Sequence, residues 1–513
     1  MRHSHPYAPR TSFPAVGLVG FALVLLVHVA VNALGPYGLH RDELLYLAMG
    51  EHLRLWAMDF PPFIAIAARL TRALFGDSVT AIRVLPALAH GALVLVAAAL
   101  AREFGSRVWG QAITALAVLA SPLFLRAGNM LQPVVFDQLW WTVALYALVR
   151  LISTGRANWW LLLGGALGIG LLTKFSIVFI GVPIVVAVAC TPERRWLATR
   201  WPYLALALAL VIGAPSIVGQ FALDFPVRAQ MDDLQGEQLQ RVTYAAFIVE
   251  QLTFGPGTLL AIVGAGALVA GTLTRYRLIG IACCGAFLML LLLHGKGYYV
   301  GPIYPALYAA GAACLDGVTR PRLRALSLGA ALAAVTLYGF VASPIALPVL
   351  PPAALASYAR LVGISKATET NRGEQLPLPQ DFADMLGWRE MVRAVADVYQ
   401  ELPEHEKADA VLLAANYGEA GALEFYGPEF GLPRVVSPTG SFWFFGPGDK
   451  PGRVLVTLGV PQDTLAQIYT DIREAGRFDS QWMVPEERNV PILVARNPSM
   501  TLHTLWPRLS GRN

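Results

Sequence analysis

Long stretches without charge constrain the fold of this chain more than any other feature. Two of them, Val84–Leu100 and Tyr203–Val218, contain no Asp, Glu, Lys or Arg. A run of roughly 18–20 apolar residues is long enough to cross a bilayer as a helix. Only 14% of the 513 residues are charged, against about 25% in soluble proteins. The sequence therefore predicts a polytopic α-helical membrane protein.

Eleven segments satisfy this criterion and are predicted as membrane spans. They lie at about 14–34, 84–101, 108–124, 134–151, 158–173, 175–190, 203–219, 256–272, 278–294, 299–315 and 324–342. The first is too long for the apolar part of a signal peptide, and no small-residue cleavage site follows it, so it is expected to remain as a helix.

Arginine is concentrated in every second connection, starting with the N-terminus and continuing with loops such as "AREFGSR" and "TPERRWLATR". The positive-inside rule assigns these connections to the cytoplasm. Most acidic residues then fall outside. We expect a transmembrane module at 1–345 with a catalytic first outer loop at 35–83, and an extracytoplasmic α/β domain at 346–513. The positive charge needs no nucleic acid partner to explain it.

The α/β prediction rests on segments that alternate in type. The stretches "ADAVLLAAN", "GRVLVTLG" and "VPILVAR" have the composition of buried strands. Helical periodicity predicts one helix within 384–402 and a second within 461–476.

The first outer loop contains three carboxylates that are candidates for catalysis. Asp42 and Glu43 begin a segment, 42–57, whose apolar residues predict an amphipathic helix on the membrane surface with Trp56 at the interface. Asp59 follows that segment. One interpretation is structural, with Asp42 capping the helix, Glu43 interacting with its dipole and Asp59 in a turn. The other is that one acid removes a proton from an acceptor hydroxyl and another holds the acceptor or a metal.

Cationic side chains occur at the predicted outer ends of several spans. Lys174 separates two spans, Lys296 precedes Tyr298 at another outer end, and Arg83 and Arg126 flank two more. Each alone is explained by snorkelling of a long side chain to the interface. Together, near outer acids, they indicate a site for an anion such as a lipid phosphate.

Asp137 begins the fourth span in "FDQLWWTVALYALVR". An acid inside a span is functional by default, because burying its charge is costly. If it faces water instead, it is an acid at a helix N-terminus. The sequence leaves both interpretations open.

Motifs in several parts of the chain resemble one family in a consistent order. These are "HRDELLYLAMGEHLRLWAMDFPPF", "FDQLWWTVALYALVR", "GLLTKFS", "GKGYYVGPIYPAL" and "NYGEAGALEFYGPEFGLP". They resemble glycosyltransferase family 39, the protein O-mannosyltransferase and aminoarabinose transferase group of the GT-C fold. The resemblance implies a membrane enzyme that takes a sugar from a polyprenyl-phosphate donor at the extracytoplasmic face. The sugar passes with inversion to a lipid, glycan or protein hydroxyl.

The resemblance also implies roles for individual residues. The family's first-loop acid corresponds to Asp42, the expected base, and its neighbour to Glu43. The acid before the Pro segment corresponds to Asp59, the acid that opens a later span to Asp137, and the lipid-phosphate lysine to Lys174. Many members have His where this chain has Phe60, so a divalent metal cofactor is left open.

A different class of protein remains as the alternative, namely a polytopic transporter or flippase of a lipid-linked or anionic substrate. Transporters place ionisable groups near the bilayer midplane between two related halves. This chain shows no such internal symmetry, and its candidate groups lie at helix ends. A scaffold protein whose outer domain binds a partner would leave the charges of the first loop unexplained. The expected location is the cell membrane, in a bacterium the inner membrane.

Overall fold

The computed structural model describes residues 14–56, 60–237, 239–363, 368–370 and 373–509. Its helices up to residue 346 are α1 (Ala15–Leu34), α2 (Arg41–Glu51), α3 (Phe63–Phe75), α4 (Val79–Ile82), α5 (Val84–Glu103), α6 (Val108–Leu119), α7 (Pro122–Gly128), α8 (Pro133–Thr154), α9 (Trp159–Thr173), α10 (Val178–Cys190), α11 (Trp201–Ala222), α12 (Pro226–Glu237), α13 (Tyr244–Leu252), α14 (Gly257–Val269), α15 (Arg277–Leu292), α16 (Tyr304–Asp316) and α17 (Pro321–Ala346). Short 3-10 helices lie at Phe175–Ile177, Pro192–Ala198, Leu239–Arg241, Thr274–Tyr276 and Gly297–Ile303.

Each of the eleven predicted spans coincides with helix, but not all of these helices are long enough to span alone. Within the described residues, six helices are long and apolar enough, or up to nine if each bent pair is one span. The two segments outside that count are α9 and α16, with 15 and 13 residues. At 1.5 Å per residue they extend only about 20 Å, less than the roughly 30 Å of hydrocarbon. The number of eleven therefore stays a prediction.

Close contact between helices in the bundle depends on small residues. A side chain on Gly264 of α14 would collide with the carbonyl of Leu307 on α16, and one on Gly311 would collide with the carbonyl of Leu260. Glycine at both positions lets the two backbones touch, which is the usual way for helices to associate in lipid.

The helical structure is interrupted at Lys174, as the two adjacent apolar runs predicted. Helix α9 ends at Thr173, Lys174 is extended with φ −163° and ψ 137°, and a 3-10 turn leads into α10. The break turns the lysine away from both helix axes and leaves it at a helix end.

Beyond α17, the chain forms a smaller α/β domain. Its helices are α18 (Pro352–Val362), α19 (Gln380–Ala383), α20 (Trp388–Gln400), α21 (Glu404–Asp409), α22 (Tyr417–Tyr426), α23 (Ser441–Phe445), α24 (Gln462–Leu465) and α25 (Leu502–Leu505). Its strands are β1 (Ala410–Ala414), β2 (Val435–Val436), β3 (Val454–Leu458), β4 (Tyr469–Phe478) and β5 (Val490–Pro498). Further 3-10 helices lie at Gly427–Phe430, Pro485–Glu487 and Trp506–Arg508.

The five strands form one sheet in the order β2-β1-β3-β5-β4. The first three are parallel, and β5 and β4 are added antiparallel to their neighbours. This confirms the predicted α/β character and three predicted strands. The helix predicted over 461–476 is wrong: only Gln462–Leu465 is helical, and Tyr469–Phe478 is the edge strand β4. Pairing with β5 outweighs the local helix preference of its Glu, Arg and Ala residues.

The C-terminal domain packs directly onto the first outer loop. Helix α22 crosses α2 so closely that a Cβ atom on Gly421 would lie 2.9 Å from the backbone carbon of Leu44. Every residue of α2 from Glu43 to Gly50 is buried. The predicted amphipathic surface helix over 42–57 is therefore wrong, because α2 ends at Glu51 and is buried against the C-terminal domain instead of lying on the membrane surface.

Candidate active site

Helix α2 begins with a capping arrangement that does not use the side chain of Asp42. The Nδ1 atom of His40 accepts a hydrogen bond from the Asp42 backbone N–H at 3.0 Å. The Glu43 carboxylate accepts one from the His40 backbone N–H at 2.8 Å. Together they close a capping box, in which the N-cap and the third helical residue satisfy each other. The interpretation in which Asp42 caps the helix is wrong, and its carboxylate takes no part in the cap.

The Asp42 carboxylate is held at both oxygens by groups from different parts of the chain. The hydroxyl of Tyr417, in the C-terminal domain, donates to Oδ1 at 3.0 Å. The Nε2 amide of Gln132, just before α8, donates to Oδ2 at 3.0 Å. The Asp42 side chain is still 30% exposed. A carboxylate oxygen has more than one lone pair, so this acid can accept a further proton or hydrogen bond.

Glu43 lies in a different environment one residue further on. It is fully buried and forms an ion pair with Arg83, whose Nη2 and Nε donate at 2.7 and 3.0 Å. The backbone N–H of Leu131 donates to it at 2.7 Å. Burial alone would raise the pKa of Glu43, but the Arg83 charge and these hydrogen bonds lower it overall. Glu43 is thus a permanent anion that ties α2 to the start of α5 and to the α7–α8 connection.

The C-terminal domain contributes buried charges that sequence reasoning missed. Asp384 lies 3.8 Å from an Arg41 nitrogen and 3.7 Å from the Nε2 atom of His40. Glu487 lies 3.9 Å from another Arg41 nitrogen. Burial raises the pKa of Asp384 to about 6, although Arg41 and His40 partly oppose the shift. The Arg41 guanidinium also covers the ring of Tyr417, 4.8 Å from its centre.

Glu419, in the motif "NYGEAG", stabilises the start of helix α22. It is buried, and its carboxylate accepts from the backbone N–H groups of Ala415 and Asn416. With Asn416 it forms the capping box of α22. Burial and the neighbouring Glu487 raise the pKa of Glu419 well above its usual value.

The predicted donor-phosphate cations lie together on the other side of His40. The Nε2 atom of His40 is 3.9 Å from Asp381, and Asp381 forms an ion pair with Arg126. Burial lowers the pKa of Lys296, and among the charges acting on that lysine are Lys174 and Asp381. The His40 ring and the Asp381 carboxylate therefore link Asp42 to the cationic cluster.

Lys174 faces aromatic rings within this cluster. Its Nζ atom lies 4.6 Å from the centre of the Tyr299 ring and 5.9 Å from that of Tyr298. Such cation–π contacts stabilise an ammonium group without neutralising it.

Asp137 lies beside Lys174 and is buried. Trp141 Nε1 donates to one of its oxygens at 3.0 Å, and the Ser176 hydroxyl donates to the other at 2.7 Å. Ser176 belongs to the turn that follows Lys174. The acid therefore fixes that turn, and the interpretation in which it only faces water is wrong.

The described residues offer no centre for a metal ion. Among them, no three side chains of His, Cys, Asp or Glu are grouped in a way that could hold one. His40, which contacts Asp42, is a candidate metal ligand by residue type. Its Nδ1 accepts an N–H, so its Nε2 carries the proton and has no lone pair for a metal. Asp59 lies outside the described residues, and metal binding through that acid stays a prediction.

A small crevice, with a volume of only about 10 Å³, lies between α11 and the segments that precede α3 and α10. Its walls are mainly apolar and include Trp56, Phe60, Phe175 and Pro215. Because Phe175 follows Lys174 in the chain, the crevice lies next to the cationic cluster.

Comparison with known proteins agrees with this architecture. Residues 59–218 match the family model described as dolichyl-phosphate-mannose-protein mannosyltransferase. A stretch of 182 residues is 29% identical to the lipid A galacturonosyltransferase RgtD of Rhizobium johnstonii. That match covers 34% of this chain and 37% of RgtD, so it spans little more than a third of the relative's length.

Two solved structures share the fold over much larger parts of the chain. ArnT from Cupriavidus metallidurans, bound to undecaprenyl phosphate, gives a TM-score of 0.61 at 18% identity over 95% of this chain and 99% of ArnT. The oligosaccharyltransferase AglB from Archaeoglobus fulgidus, in complex with an inhibitory peptide and a dolichol-phosphate, gives 0.50 at 11% identity, over 80% and 63% of the two chains.

The fold and the charged site define the class, a multi-pass membrane protein with the GT-C glycosyltransferase fold. Within that class, the matched segment 59–218 shows that the chain is similar to glycosyltransferase family 39. This confirms the resemblance seen in its sequence motifs. Arg83, Arg126, Asp137 and Lys174 lie inside the matched segment.

Proposed function

We propose that the protein is a membrane glycosyltransferase that moves a sugar from a polyprenyl-phosphate donor to an acceptor hydroxyl, with inversion at the anomeric carbon. The names of its relatives support the donor class, since ArnT was solved with undecaprenyl phosphate and AglB with a dolichol-phosphate. RgtD acts on lipid A, which supports a lipid or glycan acceptor in the cell envelope as much as a protein. The reaction is assigned to the extracytoplasmic face of a bacterial inner membrane.

One observation carries the proposal: the Asp42 carboxylate, which can accept a further proton, is linked to a group of cations through His40 and Asp381. Asp42 accepts the proton of the acceptor hydroxyl, and the acceptor oxygen attacks the anomeric carbon. The bond from that carbon to the donor phosphate breaks, and the phosphate leaves with the electron pair. Inversion requires the base and the leaving group on opposite sides of the sugar.

Cations on the leaving-group side replace an acid catalyst. Lys174 and Lys296 are placed to neutralise the phosphate as its charge grows, with the Tyr298 hydroxyl as a further donor. Arg126 already pairs with Asp381, so the phosphate shares that cation with a carboxylate.

The other predicted residues receive supporting roles. Glu43 and Arg83 hold the start of α2 in place, so we assign them to positioning rather than to proton transfer. Asp137 fixes the turn that carries Lys174. Asp59 remains a candidate second acid near the acceptor.

The transporter alternative gains no support from the fold, which is that of lipid-linked glycosyltransferases. A transporter would move the lipid unchanged. A lipid extract from a deletion strain supplies the intact polyprenyl-phosphate sugar, which accumulates when either activity is lost, and transfer by the purified protein separates the two, because only a transferase cleaves this donor. The accumulated lipid then serves as donor for the purified protein.

The decisive substitution is Asp42→Asn, assayed with that donor. The amide accepts from the Tyr417 hydroxyl as before, and the Gln132 amide can rotate to match it, but the amide cannot take a proton. Loss of a general base costs about 10²–10⁴ in rate. Asp77→Asn is a matched control, since Asp77 lies in the same loop, is 57% exposed and pairs with Arg72. Turnover of Asp42→Asn equal to that of the control would rule out Asp42 as the base.

A further inference from the structure

We propose that Tyr417 of the C-terminal domain is a positioning residue for the transfer reaction, holding Asp42 in its reactive orientation as the charged form. The inference rests on the transfer reaction proposed above. It gives the C-terminal domain a part in the chemistry, which neither the matched segment 59–218 nor the sequence motifs assign to it.

The direction of this hydrogen bond is fixed by chemistry. An ionised carboxylate has no proton to give, so the Tyr417 hydroxyl donates and Asp42 Oδ1 accepts. Burial is the main cause that raises the pKa of Tyr417, and the Asp42 charge adds to it. The phenol therefore stays protonated at any pH at which the enzyme works.

The hydroxyl is not needed to build its own domain. Tyr417 is the first residue of α22, and the N-terminus of that helix is already satisfied by Asn416 and Glu419. The hydrogen bond that the described structure gives this hydroxyl leads out of the domain, across 375 positions of sequence, to Asp42. A phenol used only for packing would not need to point there.

Because a different donor holds each of its two oxygens, the Asp42 carboxylate is restricted to one orientation. Gln132 anchors Oδ2 from the membrane module, and Tyr417 anchors Oδ1 from the C-terminal domain. A base must lie within hydrogen-bond distance of the proton that it removes. With one anchor lost, the carboxylate can rotate about its Cβ–Cγ bond and misalign with the acceptor.

Tyr417→Phe tests the role, because it removes one oxygen and leaves the ring under Arg41. Hydrogen bonds to charged groups are strong enough that kcat should fall by about tenfold or more, with a smaller change in KM for the acceptor. Tyr469→Phe is the matched control. Its buried hydroxyl donates to the Gly452 carbonyl within the same domain, away from the site.

The pH profile provides a readout that a purely structural role would not change. A hydrogen bond from a donor favours the charged form of a carboxylate, so the acid limb of kcat/KM should move to higher pH when the donor is lost. The other titratable or charged groups facing Asp42 are His40, Arg41 and Asp384. All three are kept in Tyr417→Phe and in the control.

The outcome separates this inference from the proposed function. Asp42→Asn is measured in parallel, together with the double variant. If Tyr417 acts through Asp42, the double variant is no slower than Asp42→Asn alone. Inactive Asp42→Asn combined with a Tyr417→Phe enzyme of unchanged kcat and pH profile would refute the role of Tyr417 and leave the proposed function intact. Near-normal turnover by Asp42→Asn would refute the assignment of the base itself.

Discussion

Glu43→Gln is expected to destabilise the membrane module strongly, because it removes the counter-charge of a buried arginine. The two side chains are 0% and 1% exposed, respectively. The carboxylate accepts from two Arg83 nitrogens and two backbone N–H groups. Glutamine has nearly the same shape, but its amide nitrogen must face one of these donors.

The magnitude follows from burial. Removing one partner of a buried ion pair costs about 3–5 kcal/mol, because the other charge stays uncompensated. Removing both charges costs less than the sum of the two single changes, since no buried charge is left unpaired. We therefore expect Glu43→Gln combined with Arg83→Met to be more stable than the sum of Glu43→Gln and Arg83→Met predicts.

The assay compares four proteins in the same detergent: wild type, the two single variants and the double variant. Because membrane proteins often unfold irreversibly, the half-life at a fixed temperature is the measured quantity. A loss of about 3 kcal/mol expressed fully in the unfolding rate shortens the half-life by about a hundredfold. Asp77→Asn, in an exposed pair, should stay close to wild type. A Glu43→Gln protein as long-lived as this control, or a double variant worse than the sum of the singles, would refute the reasoning.

Three further outcomes are expected. Lys174→Ala should weaken binding of the polyprenyl-phosphate donor about tenfold or more, measured by titration, while acceptor binding changes little, because the cation meets the phosphate. The pKa of Asp384, raised to about 6 by burial, means that the folded protein holds this proton more tightly than the unfolded chain, so stability falls as the pH rises from about 4 to 6. Asp384→Asn should remove about 3 kcal/mol of this pH dependence, and melting curves that change with pH as in the wild type would contradict the assignment. A reporter fused after Pro352 should be active only outside the cytoplasm, and cytoplasmic activity would reverse the topology.

The sequence was sufficient for features that depend on local composition and on topology. The alternation of Arg-rich loops predicts that Lys174, Lys296 and Arg126 lie on the side of the first outer loop. The structure brings these three cations close to Asp381 and to one another, while their side of the membrane stays a prediction. The break at Lys174 was visible as a polar residue between two apolar runs.

Features that depend on distant contacts could not be predicted. The structural interpretation, in which Asp42 caps helix α2, follows from the frequency of Asp at that position, yet His40 is the cap. Tyr417 lies in a family-like motif, but neither its partner nor that of Asp384 could be predicted, because these partners lie hundreds of residues earlier. Strand β4 has charged residues typical of a solvated helix, and only its pairing with β5 shows that it is the edge of a sheet.

The contact between Tyr417 and Asp42 has a consequence for how the protein is made. The first outer loop is synthesised early, but the residue that completes its hydrogen bonds follows 375 positions later. A nascent chain therefore inserts its membrane helices before Asp42 has its second hydrogen-bond donor. Under the proposed mechanism, a chain that stops after α17 lacks the Tyr417 anchor, and we expect it to transfer sugar more slowly than the full chain.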